Sequence, residues 1–65
     1  MTRIGALKQA RRLLTLKPSA WKVRAVKPWT ILVERRRPGK SREVAHEFCG
    51  RSWDSVVAQV AAQAG

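Results

Sequence analysis

Four arginines and one lysine lie within eight consecutive residues of this chain, at positions 35–42. A guanidinium group presents a planar fork of N–H donors that matches two phosphate oxygens or the edge of a guanine, which a lysine ammonium does not. The arginine bias of this segment therefore favours the recognition of phosphates or base edges. The cations of the segment are Arg35, Arg36, Arg37, Lys40 and Arg42.

Side chains that catalyse reactions are scarce. His46 is the only histidine, and on a strand its side chain would point away from that of Glu47, so the two would not act together. Glu43 and Glu47 would share a strand face, where ion pairs with the neighbouring arginines are their ordinary role. We therefore predict that the protein is not an enzyme, with no catalytic residues, metal site or cofactor.

Cys49 is the only cysteine, so the chain forms no intrachain disulfide and no cysteine-based zinc cluster. We expect its thiol to be buried as a small hydrophobic group. His46 lies between Val44 and Phe48 on one predicted strand face, where we expect its ring at the edge of the core with one hydrogen bond.

The basic segment 35–42 is predicted to form the tip of a β-hairpin. Pro38 presets φ for the first central position of a tight turn, and Gly39 supplies the positive φ that the second position of a type II turn requires. Runs rich in β-branched and aromatic residues flank the turn and predict strands at about 29–36 and 42–48.

A third strand is predicted at about 20–27, before the hairpin. There Trp21, Val23 and Ala25 alternate with Lys22 and Arg24. This period of two is typical of a half-buried strand, and it gives the strand a cationic outer face.

Two amphipathic helices are predicted outside the strands, at about 3–16 and 53–64, because their apolar residues recur at three- and four-residue steps. Ser52 is a suitable N-cap for the second helix. The apolar stripe of the first helix is Ile4, Leu7, Ala10 and Leu14, and its basic face is Lys8, Arg11 and Arg12. The stripe of the second helix is Trp53, Val56, Val57, Val60, Ala61 and Ala64.

The basic face of the first helix allows three interpretations. In the simplest, the apolar stripe docks on the sheet and the cations are merely solvated. The cations could instead contact phosphates, or the helix could lie on an anionic membrane surface. The stripe carries no aromatic anchor of the kind that interfacial helices prefer, which disfavours the membrane.

Together these elements predict one small basic α+β domain over residues 1–65, with an N-terminal helix, a three-stranded antiparallel sheet and a C-terminal helix packed on the sheet. A chain of this size buries only about 60% of its unfolded surface, which leaves little room for a deep enzyme cleft.

The charge of the chain points to a polyanionic partner. Its formal net charge is +10, and residues 1–30 hold eight of the 14 Lys and Arg residues and none of the four acids. Such a balance favours nucleic acid, an anionic membrane surface or an acidic protein as partner. No apolar run is long enough to span a bilayer, and the N-terminus lacks a continuous apolar signal region. We expect a cytoplasmic location in a bacterial cell or a phage-infected host.

The order of three strands and a helix resembles a three-stranded-sheet DNA-binding module. This module occurs in the arm-site-binding domain of phage tyrosine recombinases and in the plant ethylene-response (GCC-box) domain. The resemblance spans residues 20–64 and is carried by Trp21, 35–37, Phe48, Gly50, Ala58, Ala61 and Ala62. It implies that exposed arginines and tryptophans of the sheet enter the major groove, which would implicate Lys22, Arg24, Arg35 and Arg37. The N-terminal helix is an addition that the module lacks.

With that helix included, the order of elements is also that of double-stranded-RNA-binding domains. Those domains present a lysine cluster at the start of their second helix. Here that position holds Ser52, Trp53, Asp54 and Ser55, and the acid would repel phosphate. We therefore favour double-stranded DNA over RNA.

The leading hypothesis is a small basic protein that binds double-stranded DNA through the hairpin and the basic helix face. The alternative is a small phage-type inhibitor or adaptor that binds an acidic surface of a host protein. An exposed Trp29 beside Arg35 or Arg37 would favour a recognition surface, whereas burial of all three tryptophans would make them core. The candidate nucleic-acid-binding residues are Lys8, Arg11, Arg12, Lys22, Arg24, Arg35, Arg36, Arg37, Lys40 and Arg42.

The second helix also offers a surface without charge, which suggests a homodimer as an alternative to a plain solvated face. The residues of this surface are Ser55, Ala58, Gln59, Ala62 and Gln63.

Overall fold

The structure, a computed structural model, describes residues 1–39 and 41–64. A helix is followed by three strands and a second helix, so the predicted α+β class and order of elements are confirmed. The elements are α1 (Arg3–Leu14), β1 (Trp21–Val26), β2 (Thr30–Arg35), β3 (Glu43–Cys49) and α2 (Trp53–Ala64).

The strands form one antiparallel sheet with β2 in the middle. Both helices pack on the same face, where Val23 lies opposite Val33 and Ala25 opposite Ile31. The other face, which includes Arg24, is open to solvent. The core is built mainly from small residues: Ala6, Ala10, Val23, Ala25, Ile31, Val33, Phe48, Val56, Val57 and Val60.

Local hydrogen bonds fix both ends of α1. The Thr2 hydroxyl caps the start by accepting from the Gly5 N–H at 3.1 Å. Thr15 adopts the left-handed conformation at φ 48°, and its N–H donates to the Arg11 carbonyl at 3.1 Å. This αL cap ends α1 at Leu14, two residues before the predicted end.

The buried stripe of α1 differs from the predicted one. Ala6 and Ala10 are fully buried, while Ile4 is 60% exposed. The helix packs against both α2 and β1, and its smallest side chains permit the closest approach. The prediction that Ile4 belongs to the core stripe is therefore wrong.

A bulge in β3 changes which residues share a face. Val33 lies opposite His46, but the next residue of β2, Glu34, lies opposite Val44, so β3 holds one extra residue between them. Val44 consequently moves to the open face and is 49% exposed. The prediction that Val44 shares a face with His46 and Phe48 is wrong, because a bulge inverts the alternation.

The side chains of Cys49 and His46 are both exposed. The expectation that Cys49 is buried is wrong, since its thiol lies on the open side of the strand end, 3.3 Å from Glu47 Oε1. The His46 ring stacks on Phe48 at a centroid distance of 6.2 Å. Within residues 1–39 and 41–64, no three His, Cys, Asp or Glu side chains come together as a metal site would require.

The core stripe of α2 is narrower than predicted. Val56, Val57 and Val60 are buried, whereas Ala61 and Ala64 are exposed. Ser52 acts as predicted at the start, where its hydroxyl accepts from the Ser55 N–H at 3.1 Å. In the part of the chain that the structure describes, neither helix has the length and apolar content needed to cross a membrane.

Both helices begin at the end of the sheet where β1 leads into β2. Arg3 donates to the Ala25 carbonyl at 3.3 Å, and the N-terminal ammonium lies 4.0 Å from Asp54. The opposite end of the sheet holds the start of β1, the end of β2 and the start of β3. The predicted hairpin turn lies at this second end, and Gly39 has the expected positive φ of 72°.

Candidate functional site

Cations from four segments collect at the second end of the sheet, which we call the basic end. The last turn of α1 reaches it, and the α1–β1 loop joins it through the Lys17 carbonyl, which accepts from the N–H groups of Ala20 and Trp21. The start of β1 and the β2–β3 hairpin complete the group. The basic end consists of Arg11, Arg12, Lys17, Lys22, Arg35, Arg36, Arg37 and Arg42.

A cleft of about 280 Å³ opens at the basic end, and we call it the cationic cleft. Arg11, Lys22 and Arg36 line it together with Trp21, and the remaining lining residues are Leu16, Pro18 and Val23. No acidic side chain of the described residues contributes to it. Cationic residues that line one cleft offer N–H donors of the kind that bind phosphate groups.

The main chain of Arg36 is fixed against the sheet. Its N–H donates to the Ala20 carbonyl at 2.8 Å, which continues the pairing of β1 with β2 one residue beyond the Trp21–Arg35 pair. The side chain of Arg36 therefore starts from an ordered position, independent of the hairpin tip. The Arg35 guanidinium lies 5.9 Å from the ring centroid of Trp21, within cation–π range.

Two of the predicted site arginines pair with acids. Arg24 Nη1 lies 3.4 Å from Glu34 Oε1 on the open face, where Glu34 is only 7% exposed. Arg37 Nη2 lies 3.4 Å from Glu43 Oε2, and both side chains are exposed. Exposed ion pairs contribute about 0 to 1 kcal/mol to stability, so Arg37 can leave Glu43 for another anion with little loss of free energy. Arg24, in contrast, pairs with a buried acid.

The other predicted site residues that the structure describes do not line the cleft. Lys8 and Arg12 are exposed one turn apart on α1, and Arg42 is exposed just before β3. Lys40 lies outside the described residues. Lys22 and Arg24 project from one side of β1, while Arg35, which lies opposite Trp21, projects toward the other side. The residues implicated by the DNA-binding module therefore do not share one face of the sheet.

A second group of aromatic and basic residues was not predicted as a site. Arg3, Lys27, Pro28, Trp29 and Trp53 line a groove of about 260 Å³ at the end where both helices begin, and we call it the aromatic groove. Trp29 is 44% exposed, but it lies at the opposite end of β2 from Arg35. The adjacency of Lys27, Pro28 and Trp29 was visible in the sequence, whereas the approach of Arg3 and Trp53 was not.

Comparison with known proteins identifies no relative of this chain. No protein-family model matches the sequence, and no curated protein or solved structure is significantly similar to it. The functional argument therefore depends on the geometry and charge of the molecule itself.

Proposed function

We propose that the protein binds double-stranded DNA through the basic end. The observation that carries this proposal is the cationic cleft, to which three separate segments deliver Arg11, Lys22 and Arg36 without an acid in the lining. The net charge of +10 supplies long-range attraction to a polyanion, and phosphate contacts dominate the affinity of proteins for DNA.

The shape of the hairpin suits a duplex. The major groove of B-DNA admits a two-stranded β-ribbon, and the β2–β3 hairpin is such a ribbon with arginines at its tip. In this arrangement Arg37 and Arg42 enter the groove, and Arg37 exchanges Glu43 for a phosphate or a base edge. Lys8 and Arg12 of α1 then face the phosphates beside the groove, while the cations of the cationic cleft contact further phosphates of the same backbone.

The number of available cations at the basic end determines the expected salt dependence of DNA binding. At the basic end, Arg37 is paired with Glu43 and Arg35 stacks on Trp21. Six cations of that end have neither an ion pair nor a cation–π contact among the described residues: Arg11, Arg12, Lys17, Lys22, Arg36 and Arg42. If each contacts a phosphate, the slope of log K against log salt is about −5, and affinity falls roughly 1,000-fold between about 50 and 200 mM salt.

Fluorescence anisotropy with a labelled duplex of about two helical turns measures this slope across a salt series. We expect tight binding at low salt and a steep, linear decline. Absence of binding at low salt, or a decline of less than about tenfold over the same range, would refute duplex binding by the basic end.

Binding to an acidic host protein makes a different prediction. A pull-down from nuclease-treated bacterial lysate would then retain a stoichiometric protein partner at moderate salt. Recovery of such a partner, together with weak and shallow duplex binding, would replace DNA by an acidic protein surface as the target of the basic end.

A further inference from the structure

The aromatic groove is a second concave surface, at the opposite end of the sheet from the cationic cleft. The start of α1, the β1–β2 turn and the start of α2 form it, with Arg3, Lys27, Pro28, Trp29 and Trp53 in the lining. Duplex binding by the basic end makes no use of it. Its volume of about 260 Å³ is close to the lower limit of ordinary small-ligand pockets.

The exposed indole of Trp29 belongs to an ordered turn. The Gly50 N–H donates to the Trp29 carbonyl at 3.2 Å, and the Thr30 hydroxyl donates to the Pro28 carbonyl at 2.8 Å. Trp29 adopts a φ of 35°, a left-handed conformation that is unfavourable for a bulky residue. Trp29, which is 44% exposed, is thus held by a fixed and strained main chain, as occurs at ligand sites.

The second indole of the groove, that of Trp53, is held in place by the core. Trp53 opens α2 and packs partly buried against the core, so its position follows from that of the helix. The groove therefore presents two aromatic side chains from two separate elements. Aromatic rings are surfaces on which planar groups stack, with a gain of about 1 to 3 kcal/mol for each nucleobase.

The charge of the groove restricts the class of ligand. Arg3 and Lys27 are the charged residues of its lining, and the Arg3 guanidinium is oriented by its bond to the Ala25 carbonyl. Asp54 lies near Trp53, but the N-terminal ammonium, at 4.0 Å, offsets its charge. Two cations beside two indoles disfavour a quaternary ammonium ligand and favour a planar aromatic group that carries negative charge.

We propose that the aromatic groove binds unpaired nucleotides of a single-stranded nucleic acid, whose bases stack on Trp29 and whose phosphates contact Arg3 and Lys27. A base stacked inside a duplex does not present its face, so the ligand of this groove is single-stranded. This site is independent of duplex binding at the basic end.

Anisotropy with a labelled oligothymidylate tests the proposal. Trp29→Leu keeps apolar bulk and removes the aromatic face, so we expect its affinity for the oligonucleotide to fall about 5- to 150-fold, and Trp29→Phe to keep most of it. Lys27→Gln should make the slope of log K against log salt shallower by about 0.7, the value for one phosphate of a single strand. Thermal melting followed by circular dichroism verifies that each variant is folded.

Duplex affinity, measured on the same variants, separates this proposal from the function of the basic end. We expect Trp29→Leu to bind a duplex within about twofold of the parent protein. Loss of oligothymidylate binding in Arg36→Gln but not in Trp29→Leu would overturn the proposal, because single strands would then bind at the basic end. Binding of a proline-rich peptide in place of the oligonucleotide would also overturn it. Failure of duplex binding alone would leave the groove proposal standing.

Discussion

Replacing Arg36 by glutamine removes one guanidinium from the cationic cleft and leaves its surroundings in place. The main-chain bond from Arg36 to the Ala20 carbonyl does not depend on the side chain, and the described residues give Arg36 no acidic partner. We therefore expect the free energy of unfolding of Arg36→Gln to stay within about 0.5 kcal/mol of that of the parent protein. A change in DNA affinity then reports on binding alone.

The expected size of the affinity change follows from counterion release. One phosphate contact contributes about 0.9 to the salt exponent, so its loss lowers the association constant about eightfold at 0.1 M salt. This factor corresponds to about 1.2 kcal/mol of binding free energy. The slope of log K against log salt should become shallower by the same 0.9 or so.

Arg51→Gln is the matched control, because it removes the same charge from the other end of the molecule. Arg51 is exposed two residues after the end of β3, and the long axis of the molecule measures 35 Å. The Debye length at 0.1 M salt is about 10 Å, so a charge at the far end is largely screened from DNA at the basic end. We expect less than about a twofold effect for Arg51→Gln, since no phosphate contact is lost. Equal weakening by the two variants would show that binding depends on net charge and would refute the cleft as a site.

Two further predictions concern stability. Val60 is fully buried, so Val60→Ala should lower the free energy of unfolding, measured with urea, by about 2 to 3 kcal/mol. The control Gln63→Ala, on the exposed face of α2, should change it by less than about 0.5 kcal/mol. Similar urea midpoints for the two variants would contradict the packing of α2. A Cβ at Gly50 would lie 2.8 Å from Ser55 Oγ and 3.0 Å from Val56 Cγ2. Gly50→Ala should therefore lower stability by about 1 to 3 kcal/mol, and an unchanged thermal midpoint would mean that the link into α2 adjusts without strain.

Much of the local structure could be predicted from the sequence because its signals are local. The alternation in β1 places Val23 and Ala25 on the buried side and Arg24 on the exposed side. Gly39 has the positive φ that the turn requires. Errors arose where a neighbouring element determines the outcome. Packing of α1 against α2 selects Ala6 and Ala10 for burial, although Ile4 is more hydrophobic.

The same division between local and long-range features applies to the candidate site. The sequence identified the cationic residues of the hairpin and of α1, but it did not place Arg11 and Arg36 in the lining of one cleft, because 24 residues of chain separate them. It also gave no sign that Arg24 is paired with a buried Glu34, which depends on the register of β1 against β2. The homodimer through the exposed face of α2 stays a prediction, as do the nucleic-acid contacts themselves.

By itself, the sequence determined the class of fold, the order of its elements and the excess of positive charge. These features follow from periodicity, turn chemistry and composition, which act over a few residues at a time. Only the tertiary structure decided how the charge is distributed. Helix packing and strand register collect cations from four segments at the basic end, and they place Trp29 beside Trp53 at the other end. Contacts between residues distant in sequence depend on how whole elements pack, and no local pattern encodes them.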